Sequence, residues 1–254
     1  MYHSITFKTG SLTYPKNTWD DWHLVPSSRP LFVMPERKTH TIDIPSMNGE
    51  LDFSESLTLY PVYGNRKGEI EFYVMNGYQE WYELYSAMAN YFAQFPTLRA
   101  YLEDDPDHYY EGRFRVKEWN SEKDYSKVII EYDVGPYKWH RFTSENNPDY
   151  TSFVNVEVPG NVSYVSVNVK DAKVTAPAEP KIIASDFGEN GATVEWRNGS
   201  RVLTYIVYNG TTLAKNLSPA FVLFSSNRSS SIRISANDSN VTGHITFDFK
   251  IGSL

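Results

Sequence analysis

Only one stretch of these 254 residues, Tyr78–Phe95, repeats its apolar side chains at helical spacing. Trp81, Leu84, Tyr85, Met88, Phe92 and Phe95 fall on one helical face and Pro96 ends the run, so the spacing predicts a single helix packed by its aromatic stripe against a sheet. The other structured stretches alternate apolar and polar residues and are broken by Gly, Asn and Pro, which is the pattern of strands and tight turns. A chain with 19 Tyr and 14 Phe on such a pattern is expected to be mainly β.

The expected strands fall into two groups. The first includes Ile5–Leu12, Arg37–Pro45 with His40, Ile42 and Ile44 on one face, and Glu69–Val74 with Ile70, Phe72 and Val74 on one face. It ends in a long hairpin, Tyr110–Trp119 and Tyr125–Val134 around the polar turn Asn120–Asp124. The polar stretch His140–Tyr150 reads as a boundary. Beyond it lie Phe153–Val158, Ser163–Val169, Lys181–Ala184, Ala192–Trp196, Leu203–Tyr208, Phe221–Phe224, Ser231–Ser235 and His244–Ile251, the spacing of an antiparallel sandwich. The expected division is therefore 1–142 and 143–254. Charge follows it: residues 1–145 hold 15 Lys+Arg against 22 Asp+Glu, whereas the remainder holds 9 of each. That balance argues against a nucleic-acid-binding surface in the first part.

Within the first part, Thr18–Pro30 (Thr-Trp-Asp-Asp-Trp-His-Leu-Val-Pro-Ser-Ser-Arg-Pro) combines Trp19, Trp22 and Arg29 with two prolines. Each proline fixes its own φ and pushes the preceding residue to extended geometry, so the segment reads as a rigid, irregular ribbon. Aromatics and Arg are the residues enriched at interface hot spots, while two tryptophans equally suit a loop pinned to its own core.

The sequence offers little chemistry. It has no cysteine, which removes disulfides, thiolate metal sites and cysteine nucleophiles. Its six histidines never occur as His-x-His or His-Glu-x-x-His, and no phosphate-binding glycine loop, dinucleotide fingerprint or Gly-x-Ser-x-Gly elbow is present. The acidic run Glu103-Asp-Asp-Pro-Asp-His108 lacks the glycine of a calcium loop and reads as a solvated turn. No catalytic residue, metal or cofactor is assigned. With neither a signal-peptide core nor an apolar run of about 18 residues, the chain is expected to be soluble and made in a cytoplasm. One binding alternative remains, a carbohydrate-binding sandwich or glycosidase, with Trp196, Tyr205 and Tyr208 as candidate stacking residues.

Several motifs in fixed order carry a resemblance over roughly residues 1–140. They are Thr18-Trp-x-Asp-Trp22, Pro26-Ser-Ser-Arg-Pro30, Asp43-Ile-Pro45 with Asn48-Gly49, Ser54-Glu-Ser-Leu57, Tyr63-x-Asn-Arg66, Glu103-Asp-Asp-Pro106, Tyr109-Tyr-x-Gly-Arg113 and Asp133-Val-x-Pro-Tyr-Lys138. Together they resemble the N-terminal domain of the distal tail (Dit) protein family of long, non-contractile-tailed bacteriophages. The sequence departs from the usual pattern at Ser46, where Gly is commoner. The resemblance implies a structural hub and not an enzyme: a homohexamer in one or two rings, joining the tail tube protein to the tail-tip protein and leaving a channel through which DNA passes without specific binding. It further implies a C-terminal galectin-like β-sandwich, contacts with tape measure and receptor-binding proteins, no membrane, and a place at the virion tail tip after assembly in the host cytoplasm. The candidate interface residues are then Trp19, Trp22, Arg29, Arg66, Tyr110, Arg113 and Tyr137, with the Tyr110–Val134 hairpin as an arm across a neighbour and part of the acid excess lining the channel.

Overall fold

The computed structural model describes residues 2–11, 13–56, 61–75, 81–121, 125–141, 151–168, 176–198, 201–217 and 230–254. They form two compact units, Met1–Lys138 and Trp139–Ser253.

Among the described residues, the first unit is a large curled antiparallel sheet, a small two-stranded one and one helix. Its strands are β1 (Ile5–Lys8), β2 (Lys16–Asn17), β3 (Leu24–Pro26), β6 (Arg66–Val74), β7 (Leu98–Leu102), β8 (Asp105–Ser121) and β9 (Ser126–Val134), and a separate two-stranded sheet holds β4 (Thr41–Asp43) and β5 (Glu50–Asp52). The large sheet runs β2-β1-β7-β8-β9-β6-β3. Its two ends, β2 and β3, are consecutive in the chain, and the turn between them stitches the edges together. Thr18 is the stitch: its N–H donates to the Ile5 carbonyl (2.9 Å), its carbonyl accepts from the Leu24 N–H (2.7 Å), and its hydroxyl accepts from the Ile5 N–H (2.9 Å). Thr18 is wholly buried, so each of these polar groups needs such a partner.

Alternation explains the core. β9 buries Ser126, Val128, Ile130, Tyr132 and Val134 and leaves the residues between them half-exposed. Helix α1 (Trp81–Gln94) closes the sheet's concave side through Met88, Tyr91 and Phe92, with Leu84 and Phe95 packed beside them. The predicted stripe is thus nearly right, but it is rotated: Tyr91 is core, whereas Trp81 is 44% exposed. Tyr78 to Glu80 lie outside the described residues. The Tyr91 hydroxyl donates to the Tyr14 carbonyl (2.8 Å), and burial, with Asp21 nearby, pushes its pKa up to about 12.

β10 (Lys138–His140) spans the division, and the second unit contains β11 (Thr151–Val158), β12 (Val165–Asn168), β13 (Lys181–Ser185), β14 (Ala192–Asn198), β15 (Arg201–Val207), β16 (Gly210–Leu213), β17 (Ser230–Ala236), β18 (Gly243–Phe249) and β19 (Gly252–Ser253). Eight of these build two four-stranded antiparallel sheets, β11-β18-β13-β16 and β12-β17-β14-β15. Ile182, Ala184, Ile245 and Phe247 on the first, and Val194, Trp196, Ile232 and Ile234 on the second, form the buried rows of a sandwich. The predicted Phe221–Phe224 strand lies outside the described residues, and β16 has no counterpart in the sequence pattern.

Asp248 is anomalous here. It is buried, its Oδ1 has no hydrogen-bond partner among the described residues, and loss of hydration raises its pKa against the opposing pull of Lys181. Between the ordinary value of 3.8 and the raised one, the folded chain holds a proton that the unfolded chain has released. Stability therefore falls as pH rises through that window. Asp248→Asn is expected to flatten that fall in denaturant titrations from pH ~3.5 upward; a slope like that of the wild type would assign the effect elsewhere.

Candidate functional site

The ribbon divides its residues between interior and surface. Asn17 Oδ1 accepts from the N–H groups of Trp19 (2.8 Å) and Asp20 (3.0 Å), and the His23 N–H donates to the Trp19 carbonyl (2.9 Å), so Thr18–His23 is wound into one tight turn. The turn points Trp22 into the core, where its ring meets Phe7, Tyr91 and Phe92, while Trp19 stacks outside on Tyr2 (3.6 Å) and His23. Arg29 is exposed and lies 3.6 Å from Asp104, whose other oxygen meets His3 at 2.7 Å.

Arg66 is also an interior residue. Its Nε donates to the Pro136 carbonyl (2.9 Å) and one terminal nitrogen to the Val33 carbonyl (2.8 Å), and the guanidinium lies over the Tyr110 ring at 5.3 Å. Burial holds its pKa below the usual arginine value. Trp22 and Arg66, expected at an interface, therefore brace the subunit from within. Tyr110 and Tyr137 are half-buried, Tyr137 against Tyr63, and Arg113 is exposed. Of the seven candidates, Arg29 and Arg113 are exposed, and Trp19, Tyr110 and Tyr137 are half-buried.

The expected arm is also reassigned. The Tyr110–Val134 hairpin is built into the sheet, with β9 paired to β8 on one side and to β6 on the other. Its outer face is tied by Lys117–Glu69 (2.5 Å), Lys127–Glu71 (2.9 Å), Lys67–Asp133 (3.2 Å) and Arg115–Glu131. Among the described residues, what stands free is β4–β5. Its base is held where Lys38 N–H donates to the Val62 carbonyl and Gly64 N–H to the Glu36 carbonyl, both at 2.8 Å, yet every residue of both strands is exposed. The alternation predicts a half-buried strand for Ile42 and Ile44; they are exposed because the described chain has nothing to cover them.

The acidic run does not gather into a metal site. Glu103 accepts from the Ser4 N–H (3.0 Å), Asp104 faces His3 and Arg29, and Asp105 binds His108 (2.7 Å) and Lys138 (2.6 Å), so the carboxylates turn to separate partners. The aromatic platform also dissolves, since Trp196 and Tyr205 are buried and only Tyr208 is exposed.

The same arrangement of strands recurs elsewhere. The crystal structure of the SPP1 Dit (gp 19.1) protein superposes on 98% of this chain and 99% of its own, with a TM-score of 0.58 at 13% sequence identity. This is the Dit fold. That protein is described as a paradigm of the hub adsorption apparatus in phages infecting Gram-positive bacteria. No family model matches the sequence, and no curated protein matches it. The Dit fold thus accounts for the whole mainly β architecture, first unit and sandwich alike, and it is shared at an identity too low for side-chain roles to be carried across.

Proposed function

We propose that this chain is a structural, non-enzymatic hub of a phage tail tip. Six copies form a ring from their Met1–Lys138 units, joining the tail tube protein to the tail-tip protein, and the galectin-like C-terminal sandwich serves the host-adsorption parts. The observation that carries this reading is the Dit-fold likeness over nearly the full length of both chains. The free β4–β5 arm supports it, since an exposed amphipathic hairpin suits a molecule that completes itself by association. So does charge: six copies at −7 each carry −42, which keeps DNA from sticking as it passes. Contacts with the tape measure and receptor-binding proteins belong to the same reading, and no cofactor is called for.

Light scattering and negative-stain imaging test it, with the chain alone at rising concentration and mixed with tail tube protein. Rings of six are expected, stacking on tube ends. A chain that stays monomeric in both settings and binds glycans would replace the hub with a carbohydrate-binding role. A ring whose channel is lined by basic side chains would overturn the acidic-channel part alone.

A further inference from the structure

The two sheets of the sandwich differ in charge. The strands of β12-β17-β14-β15 hold Arg197, Arg201 and Arg233 against one acid, Glu195, whereas those of β11-β18-β13-β16 hold Lys181 against Glu157 and Asp248. Val194, Trp196, Ile232 and Ile234 are buried, so Glu195, Arg197 and Arg233, which alternate with them, stand on the outer face. Register then sets Ser166, Arg233, Glu195 and Thr204 side by side in one row across all four strands. That row spans three strand spacings, about 14 Å.

Its charges are organised around one oxygen. Glu195 Oε1 accepts from the Arg197 Nε (2.5 Å) and lies 4.0 Å from a terminal nitrogen of Arg233. The Arg233 guanidinium lies over the exposed ring of Tyr164 at 4.4 Å. The hydrogen bond from Arg197, aided by the fields of both guanidiniums, holds the Glu195 carboxyl below its usual range, so the anchor stays ionised. The Glu195 side chain is 27% exposed against 37% for Arg197 and 36% for Arg233, so the cations meet solvent ahead of the acid between them. One guanidinium is tied and the other stacked, which lowers the ordering cost of using their planar donor forks on a ligand. Hydroxyls surround them: Ser166 and Thr204 in the same row, Thr193 paired with Ser235 in the next, and Ser231 opposite Arg197. A bare anion would leave these hydroxyls unused, and a neutral sugar would leave the surplus positive charge unanswered.

We propose that the outer face of β12-β17-β14-β15 binds a polyol phosphate chain, with a phosphate between Arg197 and Arg233, hydroxyls on Ser166, Thr204 and Glu195, and the polyol along Tyr164. Arginine forks match phosphate oxygens in pairs, and Glu195 supplies the acceptor that polyol hydroxyls need. The length of the row suits a polymer lying across the strands, not a single lipid head group. The site belongs to the sandwich alone and does not depend on ring formation.

Immobilised poly(glycerol phosphate) tests it with the full chain. The chain is expected to be retained, and to be released by glycerol 3-phosphate but not by glycerol or inorganic phosphate at the same concentration and ionic strength. Arg197→Ala and Arg233→Lys, shown by circular dichroism to be folded, are each expected to weaken retention on the order of tenfold, the second because it keeps the charge but loses the fork. Lys215→Ala removes the same charge from an exposed position outside the four strands and is expected to change nothing. No retention of the wild type, full retention of Arg233→Lys, or an equal loss in Lys215→Ala would each overturn the site. So would release by inorganic phosphate as readily as by glycerol 3-phosphate, or binding to phosphatidylglycerol vesicles in preference to the polymer. Rings without retention overturn the site and leave the hub reading intact; retention with the expected losses but without rings does the reverse.

Discussion

Trp22→Ala is expected to lower the stability of the Met1–Lys138 unit by ~3–5 kcal/mol, the cost of deleting a large buried aromatic whose surroundings cannot collapse. The cavity would open where the sheet closes on itself. Trp22 meets Phe7, Tyr91 and Phe92, Phe7 in turn meets Phe114, and the turn carrying Trp22 also carries the Thr18 hydrogen bonds that join β1 to β3. Losing the ring therefore loosens both the packing and the seam. Trp19→Ala is the control: its ring stacks on the exposed Tyr2, and its removal is expected to cost no more than ~1.5 kcal/mol. Urea unfolding followed by near-ultraviolet circular dichroism checks the pair. Equal midpoints for the two variants would contradict the assignment of Trp22 to the core and of Trp19 to a half-buried place outside it.

Those two tryptophans also mark the limit of what the sequence makes legible. The composition of Thr18–Pro30 announces a rigid segment with something to bury, but Trp19 and Trp22 look alike until the turn fixes which one points inward. Arg66 is a similar case. Nothing in Tyr63-x-Asn-Arg66 distinguishes an exposed hot-spot arginine from one buried under carbonyl groups and a tyrosine ring. Strands such as β9 and β13 are legible because their partners lie in the same chain, so alternation in the sequence becomes alternation in burial. The arm misleads for the complementary reason. His40, Ile42 and Ile44 alternate as a half-buried strand does, but the described chain supplies nothing to bury them. A sequence pattern records that a face is to be covered without recording by which molecule. The facing pair Asp43 and Glu50 is invisible for another reason, because cross-strand register depends on the turn between the strands and not on either strand alone.

Gly112 is the second position where one substitution is expected to cost heavily. It pairs with Val134 on one side and Leu98 on the other, at the middle of the sheet. A Cβ there would lie 2.3 Å from the Asp133 carbonyl oxygen and 2.5 Å from the Val134 Cα. Both obstacles are backbone, so no rotamer change relieves them, and β8 and β9 must part. Gly112→Ala is expected to cost ~3 kcal/mol. Two other glycines calibrate the measurement. At Gly10 the nearest obstacle is the end of the Arg99 side chain at 3.9 Å, so Gly10→Ala is expected to be nearly neutral. Gly49 has open space but a φ of +81°, so alanine there bears only the left-handed backbone cost of ~1–2 kcal/mol. Denaturant midpoints ordered Gly112→Ala, then Gly49→Ala, then Gly10→Ala, from least to most stable, would confirm that close strand approach outweighs backbone strain in this unit. If Gly49→Ala proved the most damaging, the turn and not the sheet would set the unit's stability.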